Sequence, residues 1–273
     1  MHYWENNRNS FKTTLFECAQ LAGRILLEHS ASGFAVKRKE NQSSVVTTAD
    51  LASEKAILEI IRSRFPDHGI ICEETGHLPG SSPFTWVVDP LDGTSNFAAG
   101  VPWWGVLLAL LDNGVPRMAI MHVPAMQLTF FSEAGQGVWR NQQVVRVSPE
   151  TSLSNVLCAF AMDVNAQAEE TGRQVAALGR VIKQVRNFRC SNCLLDLCFT
   201  VDGRFGACVN YNTKIWDIAP FALMLPEAGG VLTDVEGAPI RFCLNEEPFD
   251  RNYTILGANP VLHPLLLNIV LGR

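Results

Sequence analysis

The chain has no surplus of basic charge: 22 Lys and Arg stand against 27 Asp and Glu, a formal net charge of −5. That excludes the electrostatic footprint of a protein built to bind nucleic acid or an anionic membrane, and makes a small molecule the expected partner. Long apolar runs are also missing. The longest, residues 101–111, falls short of the ~20 residues of a membrane span and contains Pro102 and Gly105. The opening residues, Met1 to Asn6, lack the basic start and apolar centre of a secretory leader, so a cytoplasmic, reducing location is expected. Cysteines occur at positions 18, 72, 158, 190, 193, 198, 208 and 243 without the spacing of a disulfide framework, and are expected as buried thiols. Cys190 and Cys193 form a CxxC, but there is no second pair, no His at ligand spacing nearby and no thioredoxin-like pattern around it. No repeat of fixed period is present.

What is there points to a folded globular chain. Hydrophobic residues make up 47% of the 273, with fifteen Phe and six Trp, and only 18% are charged. A chain of this length buries roughly three quarters of its unfolded surface. Residues 11–29 place Leu15, Ala19, Ala22 and Leu26 on one helical face. A polar linker (37–44) leads to a short strand at 45–48, and Asp50 is expected to cap a second helix that runs to Arg64. Residues 69–72 and 86–88 read as strands that stop at Glu73-Glu74 and at Asp89-Pro90, separated by a Gly/Pro/Ser-rich loop at 76–83. The stretch 103–147 reads as an antiparallel meander. A polar segment, 148–154, divides an N-terminal half (1–150) from a C-terminal half (151–273). The latter alternates helix (168–183), strand, helix (from 192), strand (205–210) and a helix opening at Asp217 and ending at Gly229-Gly230. The expected class is α/β, with helices and sheets in alternating layers and a site between the halves.

The chemistry is concentrated in Asp89-Pro90-Leu91-Asp92-Gly93-Thr94. These are residues that turns favour, but this turn follows a buried strand and leads into Asn96-Phe97 and an apolar block rather than a polar loop. Pro90 is expected to end the strand ladder so that Asp89 and Asp92 converge instead of alternating across a sheet. Two carboxylates brought together with Glu73 repel unless a cation lies between them, and an all-oxygen donor set selects Mg²⁺ or a similar hard ion. Gly93 has no Cβ and lets backbone N–H groups approach an anion, while Thr94 adds a hydroxyl. The arrangement suits a phosphate.

The segment Trp-Val-Val-Asp-Pro-Leu-Asp-Gly-Thr-Ser-Asn-Phe (86–97) resembles the first signature of the inositol monophosphatase family. Trp216-Asp217-Ile218-Ala219 with Glu227-Ala228-Gly229-Gly230 is similar to that family's distal motif, and Glu73-Glu74 to its upstream acidic pair. The likeness runs over nearly the whole chain. It implies a two-metal Mg²⁺ phosphatase: Glu73, Asp89 and the Leu91 carbonyl around one ion, and Asp89, Asp92 and Asp217 around a second. One ion would acidify the attacking water and the other stabilise the leaving oxygen. Glu73, Thr94 and Asp50 would orient that water, Gly93 and Thr94 would cradle the phosphate, and Glu74 would play a supporting part. The resemblance also implies a small phosphorylated substrate, sensitivity to lithium, and a homodimer.

Departures fall on the alcohol side. Seven residues before Asp217, inositol-preferring members carry a Glu where this chain has Asn210; their Gly-Ser-Ala stands here as Cys190-Ser191-Asn192. Amides still bind hydroxyls, without the charge. Ser191, Asn192 and Asn210 are therefore the candidate specificity residues. Pro220 is expected in the first turn of the last motif's helix, and Pro226 to kink its end. Hydrolysis of 3′-phosphoadenosine phosphate, fructose bisphosphate or histidinol phosphate remains open, as does a non-catalytic regulatory binder on the same scaffold. A haloacid-dehalogenase-type site needs its acids at i and i+2, whereas here they are i and i+3.

Overall fold

The computed structural model describes residues 2–38, 45–162, 168–244 and 251–273. Most of the expected polar linker at 37–44 lies outside them. In chain order the elements are helix α1 (His2–Ser32), strands β1 (Val36–Arg38) and β2 (Val45–Thr47), helix α2 (Thr48–Arg64), then β3 (Gly69–Cys72), β4 (Gly76–Leu78) and β5 (Phe84–Asp92). A short helix α3 (Thr94–Ala98) precedes β6 (Gly105–Asp112), β7 (Val115–Val123), β8 (Leu128–Glu133), β9 (Val138–Arg140) and β10 (Gln143–Val145). The second half holds β11 (Leu157–Ala161), α4 (Ala168–Val181), β12 (Asn187–Arg189), α5 (Leu194–Val201), β13 (Ala207–Thr213), α6 (Ile215–Glu227), β14 (Val231–Thr233), β15 (Tyr253–Ala258) and α7 (Leu262–Leu271).

Strands β3 to β10 form one sheet in the order β10-β9-β8-β7-β6-β5-β3-β4. The expected meander is its antiparallel run from β6 to β10, and β3 and β5 pair in parallel. A second sheet has the order β12-β11-β13-β15-β14. The pleat explains the layering, because alternate residues face opposite sides. Val106, Leu108 and Leu110 join the apolar cluster built with Phe11, Leu15, Leu26 and Ile57 of α1 and α2. Leu107, Ala109 and Leu111 join the cluster built with Leu194, Ile218, Phe221 and Leu225 of α5 and α6. Both faces are covered, which is why this strand reads as an unbroken apolar run. Cys208 and Ile255 of the second sheet close the same central cluster, and Val209, Leu256 and Ala258 face Ala177, Val181, Leu262 and Leu266 of α4 and α7. The result is helix, sheet, helix, sheet, helix.

Several expectations need correcting. Helix α1 begins at His2 rather than near residue 11. Its first turn is held by Tyr3 and Trp4, whose rings stack on Phe84 at 5.5 and 6.1 Å, contacts that local periodicity does not reveal. The loop at 76–83 contains β4. Strand β5 runs on to Asp92 instead of stopping at Asp89. Helix α6 opens at Ile215, so Pro220 is its sixth residue and lies beyond the first turn; Pro226 falls in the last one. Cys190 and Cys243 are exposed; the other six cysteines are buried. No helix among the described residues is long and apolar enough to cross a membrane.

Candidate active site

The site is built on an irregularity of β5. Asp89 pairs with Leu107 of β6, and Asp92 pairs with Gly105, so three steps on β5 oppose two on β6. One extra residue is accommodated as a bulge. In a regular strand residues i and i+3 point to opposite faces; the added residue turns Asp92 to the side of Asp89. Pro90 therefore interrupts the ladder without ending it. The bulge is braced from within, since the Leu91 N–H donates to Asp89 Oδ1 at 3.0 Å.

Asp217 comes to the same place from the second half. It is the third residue of α6 and not its cap; its Oδ2 accepts the Lys214 N–H at 2.6 Å, which aims the carboxylate back along the helix N-terminus. Asp89, Asp92 and Asp217 each offer an oxygen within 4.8 Å of the others. Asp92 is also tied across the halves, with its Oδ1 accepting the Leu194 N–H at the start of α5 at 2.5 Å. Glu73 lies just beyond β3, its N–H donating to the Val88 carbonyl at 3.3 Å, and its side chain lines the same cleft.

Asp89 is only 2% exposed. Burial first, and then the charges of Glu73, Asp92 and Asp217, push its carboxyl well above the usual carboxylate range. Such a cluster fits a divalent cation bound by hard oxygens, which replaces mutual repulsion with shared attraction. Leu91 also borders the cleft.

Gly93 has φ +85°, and a Cβ there would stand 2.6 Å from the Trp103 carbonyl oxygen, so only glycine fits the turn into α3. Thr94 follows, its hydroxyl within hydrogen-bond distance of the Leu91 carbonyl (2.9 Å) and of Asp50 Oδ1 (3.2 Å). Asp50 does not cap α2 as expected. Thr47 is the cap and Asp50 the third residue, and the two bond reciprocally as a capping box. The Thr-x-x-Asp spacing is the signal for this arrangement. Asp50 is fully buried, does not line the cleft and reaches it through Thr94; burial raises its pKa while Thr47 and Thr94 oppose the shift.

The cleft has a volume of about 440 Å³. Asn192 and Asn210 line it, whereas Ser191 does not; its hydroxyl lies 3.2 Å from Cys193 Sγ. The Asn210 Oδ1 accepts the Asn212 N–H at 3.0 Å, which leaves its amide nitrogen as the donor end. Sequence reasoning missed Asp196, Asn212 and Lys214, which also line the cleft. Asp196, in the first turn of α5, accepts the N–H groups of Ser191 (3.3 Å) and Asn192 (3.2 Å) and so shapes the loop before the helix. Burial pushes its carboxyl up to about 6. An acidic residue in a helical first turn was its only sequence signal.

A family model for the inositol monophosphatase family matches residues 7–271. The putative Nus factor SuhB of Neisseria meningitidis serogroup A is 31% identical over 264 residues, 96% of this chain and 98% of that one. Thermotoga maritima fructose-1,6-bisphosphatase/inositol-1-monophosphatase is 27% identical over 91% of each chain. The crystal structure of extragenic suppressor protein suhB from Bartonella henselae matches with a TM-score of 0.87 at 28% identity, covering 96% of this chain and 98% of that one.

Proposed function

The chain belongs to the inositol monophosphatase family, and from that premise we propose that it is a Mg²⁺-dependent phosphomonoesterase acting on a small phosphorylated alcohol. The observation that carries the reading is the convergence of Asp89, Asp92 and Asp217 from both halves of the chain in one cleft with Glu73. Glu73, Asp89 and the Leu91 carbonyl would hold one ion, and Asp89, Asp92 and Asp217 a second. Bound there, the ions would acidify a water and offset charge on the phosphoryl group.

The remaining steps belong to the chain's own groups. The Thr94 hydroxyl carries one hydrogen, directed to Asp50 Oδ1 or to the Leu91 carbonyl, so its lone pairs would accept a hydrogen bond from the attacking water and orient it. Glu73 would take a second contact to that water and fix its line of approach. The missing Cβ of Gly93 would let phosphoryl oxygens reach the backbone N–H groups of Gly93 and Thr94. Asn192 and Asn210 would receive the alcohol half through neutral amides, and Ser191, which does not line the cleft, would act only by shaping the loop that carries Asn192. This supports a hydroxyl-rich alcohol such as an inositol, held less tightly than by a carboxylate. Fructose bisphosphate, 3′-phosphoadenosine phosphate and histidinol phosphate are the other candidates within the family. We place the protein in the cytoplasm as a homodimer without a nucleic-acid partner.

The Nus factor name of the Neisseria relative favours a second reading, a regulatory binding protein on this scaffold. The complete acidic set argues for chemistry, because without a cation it only destabilises the fold. Phosphate release from a panel of inositol, sugar, nucleotide and amino-alcohol phosphates tests the choice. Turnover of at least one ester with Mg²⁺, lost in EDTA, is expected; no turnover of any ester at millimolar Mg²⁺ would favour the binder.

A further inference from the structure

Helix α2 buries three polar side chains on one face: Asp50 and Ser53 are fully buried and Glu54 is 3% exposed. Their spacing, i, i+3 and i+4, sends all three to the same side. Polar groups out of water are unfavourable unless each finds a partner, and here each of the three has at least one partner in a segment that carries the acidic cleft, although Asp50 also bonds to the cap Thr47. Asp50 reaches Thr94, as described. Ser53 Oγ donates to the Pro90 carbonyl at 2.8 Å, in the middle of the bulge between Asp89 and Leu91. Glu54 Oε2 accepts the Glu74 N–H and the Cys72 thiol, both at 3.0 Å, and Oε1 accepts the Thr75 hydroxyl. Glu54 thus grips the chain on both sides of Glu73.

We propose that Ser53 and Glu54 are positioning residues, through which α2 holds the β5 bulge and the Glu73 turn at the separation a divalent ion requires. The inference rests on the metal-site reading above. Its physical basis is that like charges drive the two segments apart before a cation arrives, and preorganised ligands bind without first being brought together. A helix is a stiff body, so one element bonded to both segments sets their spacing. Glu54 acts through the backbone and neighbours of Glu73, with no contact of its own to substrate.

A purely structural Glu54 would change thermal stability and leave metal affinity alone, and this separates the two roles. Mn²⁺, used as a spectroscopic probe in place of Mg²⁺, would be titrated into the full-length protein by electron paramagnetic resonance, with thermal melts in parallel. Glu54→Ala is expected to weaken Mn²⁺ binding at least tenfold and to raise the Mg²⁺ concentration for half-maximal phosphate release similarly. The kcat at saturating Mg²⁺ should stay within about threefold. Glu54→Gln keeps a carbonyl for Glu74 and Cys72, and the Thr75 hydroxyl can turn to accept from its amide, so affinity should return to within threefold of the parent. Ser53→Ala should weaken binding three- to tenfold. If Glu54→Ala does not fold, Thr75→Val removes a single contact of the clamp and should weaken Mn²⁺ binding about threefold. Parent-like Mn²⁺ affinity in folded Glu54→Ala, or in Thr75→Val where Glu54→Ala does not fold, would overturn the inference whatever the melting temperature. If the parent protein binds no Mn²⁺, the metal-site reading fails and this inference falls with it.

Discussion

At the scale of one residue, Asp89 carries opposing demands. Its carboxyl is almost wholly out of water beside three other acids, and its pKa is raised by burial and by those charges. Relative to an unfolded Asp near 3.9, the folded state therefore holds its proton to higher pH. Stability of the metal-free protein falls as pH rises through that window, and the penalty is complete above the raised value. Asp89→Asn removes the charge yet keeps an oxygen for the Leu91 N–H. In EDTA at pH 7.5 the variant should melt a few degrees higher than the parent, and at pH 4 the difference should shrink toward zero. Its Mg²⁺-dependent turnover should fall by roughly three orders of magnitude, the scale of several kcal/mol lost from transition-state stabilisation. Parallel melts and phosphate-release assays check both signs. A variant that loses stability in EDTA would mean that the acidic cluster is not strained as described.

At the scale of elements, much of the site was legible because its signals are local. The strand before Asp89, the turn at Gly93 and the acid near the start of α6 each follow from short-range chemistry. What could not be read was register. Nothing within residues 86–92 says that the ladder resumes at Asp92 opposite Gly105, since the extra residue is defined only against the partner strand. The local pattern points to Asp50 as a cap and to Asp217 as the opening of its helix, though each is the third residue; for Asp50 the cap is Thr47, three residues earlier. Ser53 and Glu54 were invisible for a similar reason, as polar residues on α2 look solvent-facing until the sheet is placed against them. Gly93 is the element-scale test. Its positive φ costs a side-chain residue about 1–2 kcal/mol, and the Trp103 carbonyl at 2.6 Å from a new Cβ adds a clash with backbone that cannot easily move. Gly93→Ala should destabilise by about 2 kcal/mol or more by denaturant titration. It should also lower kcat/KM more than tenfold by displacing Asp92 and Thr94; an alanine variant with parental stability would show that the turn adapts.

At the scale of the whole molecule, the layered core and the acidic cleft make conflicting contributions to stability. The central cluster shares residues of both sheets and of α5 and α6, so the halves pack as one body and bring Asp217 against the β5 bulge. The strand order that does this, with β5 lying between β3 and β6, depends on pairings distant in sequence, which local patterning does not determine. Apolar burial thus forces the acids together, and a cation that binds only the folded state must stabilise it by mass action. At a Mg²⁺ concentration of 100 times the dissociation constant that gain is about 2.7 kcal/mol, or a rise of roughly 5–10 °C in melting temperature for a chain of this size. The sign of its pH dependence follows from Asp89. Protons and the ion compete for the same oxygens, so the Mg²⁺-induced rise should be full at pH 8 and smaller at pH 5. Differential scanning calorimetry across that range, with Mg²⁺ and with EDTA, measures it. A melting temperature indifferent to Mg²⁺ at pH 8 would mean that the carboxylates, though gathered by the fold, do not hold the ion together.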